Sequence, residues 1–118
     1  MNVKFSRYSL RLRASMEELD LLIKTGELSE QFMVPGGVSF YVSVEISNEQ
    51  QMSLAHLSSD EIILKIPMAS AQRLRSAKSK NDLHLSLSMP TNIVPYEIDF
   101  EIDAFQLNRK NKSEGVHI

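Results

Sequence analysis

The sequence predicts an α+β fold, mainly antiparallel β with two short helices, arranged as two pseudo-symmetric βαββ units around one core. Three observations carry this expectation. The run Leu10, Leu12, Met16, Leu19 and Leu22 lines up at one constant offset with Ile62, Leu64, Met68, Ala71 and Leu74, and Phe40 to Ile46 answers Tyr96 to Ile102. Apolar residues recur at every second position on either side of two segments where they recur at every third and fourth, the change of period between strand and helix. Turn-forming Pro35, Gly36 and Gly37, and the loop from Pro90 to Pro95, each separate two alternating runs as a hairpin requires. The expected halves are residues 1–47 and 52–107 of a single domain 1–107, followed by a polar tail over 108–118. Any two strand-helix-strand segments share an apolar pattern, so the order of elements stands apart from the question of duplication.

Val3 and Phe5 share one parity while Tyr8, Leu10 and Leu12 share the other, which places a tight turn or bulge near Ser6 and Arg7. Ser15 and Glu18 have the spacing of a capping box. Met16, Leu19, Leu22 and Ile23 form one helical face, and Gly26 stands where a left-handed stop belongs. Leu28 to Val34 and Phe40 to Ile46 then read as a hairpin. After a polar joint over 47–51, Met52 to Leu57 reads as a short strand. Ile62, Leu64 and Ile66 form the next, and Pro67 suits the first position of a helix over Met68 to Ala77. Leu83, Leu85 and Leu87 open the last hairpin, and Tyr96 to about Leu107 closes it. The two halves form either one antiparallel sheet or a sandwiched pair, with the helices over an apolar face. Met16 corresponds to Met68 and Met33 to Met89, ordinary core fillers.

A chain of 118 residues can bury one core without a staple. A formal net charge of −2 gives no bulk positive field, so nucleic acid is not expected as a partner. The absence of cysteine excludes disulfides, thiolate nucleophiles and cysteine-ligated zinc, and suits a reducing cytoplasm. No run approaches the roughly 18 apolar residues that span a bilayer. The first residues alternate like a strand rather than a signal peptide. A cytoplasmic location without membrane association is the expectation.

Candidate chemistry is sparse, and no catalytic, cofactor-binding or metal-ligating residue is assigned. Glu97, Asp99, Glu101 and Asp103 share one face of the last strand, opposite Ile98, Phe100 and Ile102. Four carboxylates in line could hold a hard cation or dock a basic partner. The same alternation describes any strand solvated on one side, with Arg11, Arg13 or Lys65 as cross-strand partners. Residues 1–13 are purely basic and 81–103 purely acidic among their ionisable Asp, Glu, Lys and Arg, which favours an electrostatic match between the first and last strands. His56, His84 and His117 share no ligand spacing, and His84 alternates with Ser86 and Ser88 on a polar face. No serine lies in a nucleophile elbow. Pro35, Gly36 and Gly37 join two strands and lack the lysine of a phosphate loop. The basic Arg73, Arg75, Lys78 and Lys80 come without an aromatic platform, which fits a solvated helix end better than a nucleic-acid surface.

The segment from Val3 to Arg13, the short acidic helix, the turn from Phe32 to Gly37 and the late Glu97 to Phe100 together resemble a family of small uncharacterised bacterial proteins. Its members share a Ser-Ile-Arg-Leu-Arg-like strand, a Phe-Pro-Gly-Gly-like turn and a Glu-Lys-Asp-Phe-like strand. The resemblance covers nearly the whole chain and implies a bacterial cytoplasmic protein, with no reactive residue to carry over. This chain departs from the pattern at Ile98, where the family has lysine, and at Ile102, where cysteine is common. The functional expectation is a non-enzymatic protein–protein interaction or assembly module, as a homodimer or with another protein. The alternative is a small-molecule or cation-binding protein with its site between the halves.

Overall fold

The computed structural model describes residues 1–103, in which the two periodicities resolve into eight strands and two helices. The first half contains β1 (Asn2–Ser6), β2 (Ser9–Ala14), α1 (Met16–Thr25), β3 (Glu27–Val34) and β4 (Val38–Ser47). The second contains β5 (Ser53–Leu57), β6 (Glu61–Pro67), α2 (Met68–Arg75), β7 (His84–Met89) and β8 (Tyr96–Ile102), with a single 3-10 turn over Lys80–Asp82 before β7. The change of parity after Phe5 is the β1–β2 turn. The capping box forms as expected: Glu18 N–H donates to Ser15 Oγ at 3.1 Å, and Ser15 N–H donates to Glu18 Oε1 at 2.9 Å. Gly26 ends α1 at φ 87°, a left-handed conformation that a Cβ would strain.

The strands form two four-stranded sheets, in the orders β1-β2-β8-β7 and β3-β4-β6-β5. Each sheet therefore takes one hairpin from each half. The two hairpins meet along a central parallel pair, β2 with β8 and β4 with β6, and the other four pairings are antiparallel. The registers correspond: Leu12 faces Phe100 in one central pair as Leu64 faces Val44 in the other. Hydrogen bonds outside the ladders repeat the correspondence. Glu97 N–H donates to Tyr8 O as Tyr41 N–H donates to Asp60 O, and Ile102 N–H donates to Leu83 O as Ile46 N–H donates to Gly26 O. The internal twofold seen in the sequence is thus also a twofold of backbone pairing.

One core joins all the layers. Leu10, Leu12, Ile98 and Phe100 of the first sheet, Val42, Val44, Ile62 and Leu64 of the second, and Leu19, Leu22 and Leu74 of the helices all belong to one buried cluster. The helices pack on one another and against the second sheet, α1 on β3 and β4, α2 on β4 and β6. Arg75 Nε donates to Asp20 Oδ1 and ties their exposed sides together. No helix among the described residues is long and apolar enough to cross a membrane.

Several details differ from the sequence expectation, each for an identifiable reason. The central pairings are parallel, because alternation fixes which face a strand buries and not which strand lies beside it. Pro67 closes β6 and caps α2 from just outside, and α2 stops at Arg75, where Ser76 Oγ competes for the last carbonyls through bonds to Gln72 O and Arg73 O. Leu83 is buried at the end of the 3-10 turn rather than in β7. Met89 faces Tyr96 as Phe32 faces Phe40, so the counterpart of Met89 is Phe32 and not Met33. Lys65 faces Glu45 in the second sheet and is no neighbour of the acidic strand. The expected continuation of the last strand to Leu107, and the tail with His117, lie outside the described residues.

Candidate functional site

The acidic strand lies in the middle of the first sheet with its carboxylates on the outer face. Registers on that face form three rows: Asn2, Arg13, Glu101 and His84; Lys4, Arg11, Asp99 and Ser86; Ser6, Ser9, Glu97 and Ser88. Arg13 donates through Nε to Glu101 Oε1 at 2.8 Å, with a second guanidinium nitrogen at 2.7 Å, and Arg11 Nε stands 3.9 Å away. Ser86 Oγ donates to Asp99 Oδ1 at 2.5 Å and Ser88 Oγ to Glu97 Oε1 at 2.9 Å. Asp103 follows the strand, its N–H donating to Ala14 O at 2.9 Å. The basic and acidic strands anticipated from charge patterning are therefore neighbours, and Glu97, Asp99 and Glu101 have partners within the sheet. Among the described residues no group of three or more His, Asp or Glu is placed to hold a metal ion. A polar hollow of about 390 Å3 beside Glu101 is lined by Arg13, Lys80, His84 and Asp103, a mixture of both charges.

A titratable cluster that departs from ordinary behaviour lies at the same end of the first sheet, where β2 runs into α1. The Met1 ammonium stands 2.7 Å from Glu18 Oε2 and 2.9 Å from Glu30 Oε2. Glu30 lies between Leu28 and Phe32 on the inward face of β3, and its Oε2 is buried with no hydrogen bond beyond this ion contact. Burial opposes the charge on both Glu18 and Met1. The ammonium and the Ser15 amide outweigh it at Glu18, whose carboxyl is held below its ordinary value, and the two carboxylates raise the ammonium above its own.

An apolar opening lies where the hairpins end. Val3 and Phe5 of β1 form one wall, Phe32, Ser39 and Phe40 of the β3–β4 hairpin a second, and Leu57, Ser58, Ser59 and Ile62 of the β5–β6 hairpin a third. They enclose a groove of about 520 Å3 between the two halves. The Phe5 ring meets Phe40 edge-on at 5.6 Å, which brings the turn ends of both sheets together. Phe5 remains 54% exposed and Leu57 58% exposed. They are internal counterparts, for Phe5 faces Leu10 as Leu57 faces Ile62. Met33, Tyr41, Ile93 and Val94 are exposed on or near the same turns, and of the exposed large apolar side chains among the described residues Leu21 alone lies on a helix.

Beside the solvated carboxylate face of Glu97, Asp99, Glu101 and Asp103, weighed above as a candidate partner or cation surface, the chain has an open aromatic groove that the period-two pattern did not reveal. Phe5 shares the inward parity of Val3, whereas Leu57 turns toward Ile62 only because β5 shifts register between Leu54 and His56. Both stand within two residues of a turn, Phe5 near the end of β1 and Leu57 at the end of β5. No family model matches the chain, and neither a curated protein nor a solved structure shows significant similarity to it.

Proposed function

We propose that this protein is a non-enzymatic interaction module that binds a protein partner through the groove at its hairpin ends. The observation that carries the reading is the exposure of Phe5 and Leu57 at the mouth of an aromatic groove. An apolar patch rimmed by polar turns is what an interface core looks like before its partner arrives. Aromatic anchors around a concavity are also where binding energy concentrates. The carboxylates of β8 bear less on this reading, because Arg11, Arg13, Ser86 and Ser88 already occupy them. The setting is the bacterial cytoplasm, on the strength of the family resemblance and the lack of cysteine.

The test is site-specific photocrosslinking in cells, with a photoreactive residue at Leu57 and a control at Ser86 on the outer face. Discrete protein adducts from position 57, absent from position 86, are expected. Equal or absent crosslinking from the two positions would refute the reading.

The volume of the groove favours one second reading, a small apolar ligand with a hydroxyl or carbonyl that Ser39, Ser58 or Ser59 could meet. About 300–1,000 Å3 is the range of small-molecule pockets. Native mass spectrometry of freshly purified protein would show such a ligand as added mass, lost in Phe40→Ala.

A further inference from the structure

We infer that the occupant of the hairpin-end surface is a second copy of this chain, docked head to head about one particular twofold axis. The inference rests on the binding-module reading and adds the identity of the partner. Its basis is that the internal twofold relates backbone positions but reverses charge. The β1–β2 turn and its flank carry Lys4 and Arg7, whereas the counterpart β5–β6 turn carries Asp60 and Glu61. Phe5 stands beside the basic turn and Leu57 beside the acidic one.

These charges are available to a partner. Among the described residues neither Lys4 nor Arg7 forms an ion pair; the Arg7 guanidinium lies 5.3 Å from the centre of the Tyr8 ring. The Asp60 carboxylate accepts a hydroxyl bond from Ser58 at 2.9 Å while its backbone O takes the Tyr41 N–H, and Glu61 lies 3.8 Å from His56, with both side chains more than two-fifths exposed. Arg7 and Asp60 are both exposed.

Two twofold axes could bring this end of one molecule onto the same end of another. About one axis, basic turn meets basic turn and acidic meets acidic, an arrangement that repels at both edges. About the perpendicular axis, each basic turn meets the partner's acidic turn, and Phe5 of each copy approaches Leu57 of the other. The contact is isologous, as a closed dimer requires, and its two ion contacts are identical by symmetry. An apolar centre supplies affinity while the flanking charges select the axis.

The experiment is sedimentation velocity at micromolar concentration on four samples: the wild-type chain, Arg7→Glu, Asp60→Arg, and an equimolar mixture of the two variants. Wild type should sediment as a dimer. Each variant opposes like charges at both edges and should weaken dimerisation by at least about tenfold. The mixture should restore the dimer, because Glu at position 7 of one chain then meets Arg at position 60 of the other, while the native Asp60 and Arg7 meet at the second edge. Restoration also shows that neither variant had simply lost its fold. A monomeric wild type, a dimer indifferent to both reversals, or a mixture that stays monomeric overturns the inference. The binding-module reading is decided separately, since crosslinks from position 57 to a different protein would sustain it while the homodimer fails.

Discussion

Replacing Phe100 by alanine should destabilise both halves of the molecule together. Phe100 is fully buried in β8, between Leu12 of β2 and Leu85 of β7. It belongs to the second half by sequence and to a sheet shared with the first. Truncating a buried phenylalanine removes its transfer free energy and leaves a cavity, together about 3–5 kcal/mol. A domain of this size has about 5–15 kcal/mol in total, so the loss is a large fraction of it. The counterpart position is Val44, also fully buried. There the smaller loss in Val44→Ala should cost about 2 kcal/mol. Urea denaturation followed by far-ultraviolet circular dichroism should give one transition for wild type and for each variant, with the midpoint lowered and the slope unchanged. The reasoning requires one cooperative unit, because neither sheet exists without hairpins from both halves. Two resolved transitions, or a loss below about 1 kcal/mol for Phe100→Ala, would refute it.

Other expectations concern the edges of the fold. Gly26→Ala places a Cβ at φ 87° with open space around it, so strain rather than a clash should lower stability by about 1 kcal/mol, read from the denaturation midpoint. Glu101→Gln removes the ion pairs of Arg13 and Arg11 on a solvated face. It should change stability by less than about 1 kcal/mol, and by less still at high salt, measured by thermal melts across ionic strength. With Met1 as a free terminus, the clamp on Glu18 gives stability a plateau between about pH 5 and pH 8. The lowered carboxyl contributes above its unfolded value and loses its contribution as pH falls through the folded one. The raised ammonium contributes below its unfolded value and loses its contribution as pH rises through the folded one. Glu18→Gln should flatten both limbs of the stability curve, and unchanged limbs would remove the pair from the explanation.

How much of this was legible in the chain depends on the range of the interaction. α1 could be read almost to the residue, because Ser15, Glu18 and Gly26 act within one helix and carry their own signals. The faces of β2, β4, β6 and β8 were legible from alternation, and the charge pattern favoured an electrostatic match between the basic first strands and the acidic last one, with Arg11, Arg13 or Lys65 as candidate partners. The exchange of hairpins was not, since a strand alternates in the same way whichever neighbour it has. Lys65 was misplaced beside the acidic strand for that reason. The inward Glu30 escaped notice because its partner is an ammonium distant in sequence, and an isolated carboxylate in a strand reads as solvated. The groove was hidden because alternation puts Phe5 on the face of Val3 without saying how far it is covered, and because the register shift that turns Leu57 toward Ile62 leaves no period-two signal.

The exchange of hairpins also has a consequence for synthesis on the ribosome. β2 is made early, yet the strand it lies against is β8, and Arg13 meets Glu101 across 88 residues of chain. Until the last strand emerges, β2 presents an unpaired edge, with Leu10 and Leu12 uncovered on its inner face. The first sheet therefore cannot close before β8 has been made. Long-range pairing of this kind slows folding and leaves a nascent edge open to wrong partners. Lys4 of β1, Arg7 of the turn, and Arg11 and Arg13 of β2 put like charges along that hairpin, and a chain stripped of them should enter inclusion bodies more readily than its folded stability would indicate.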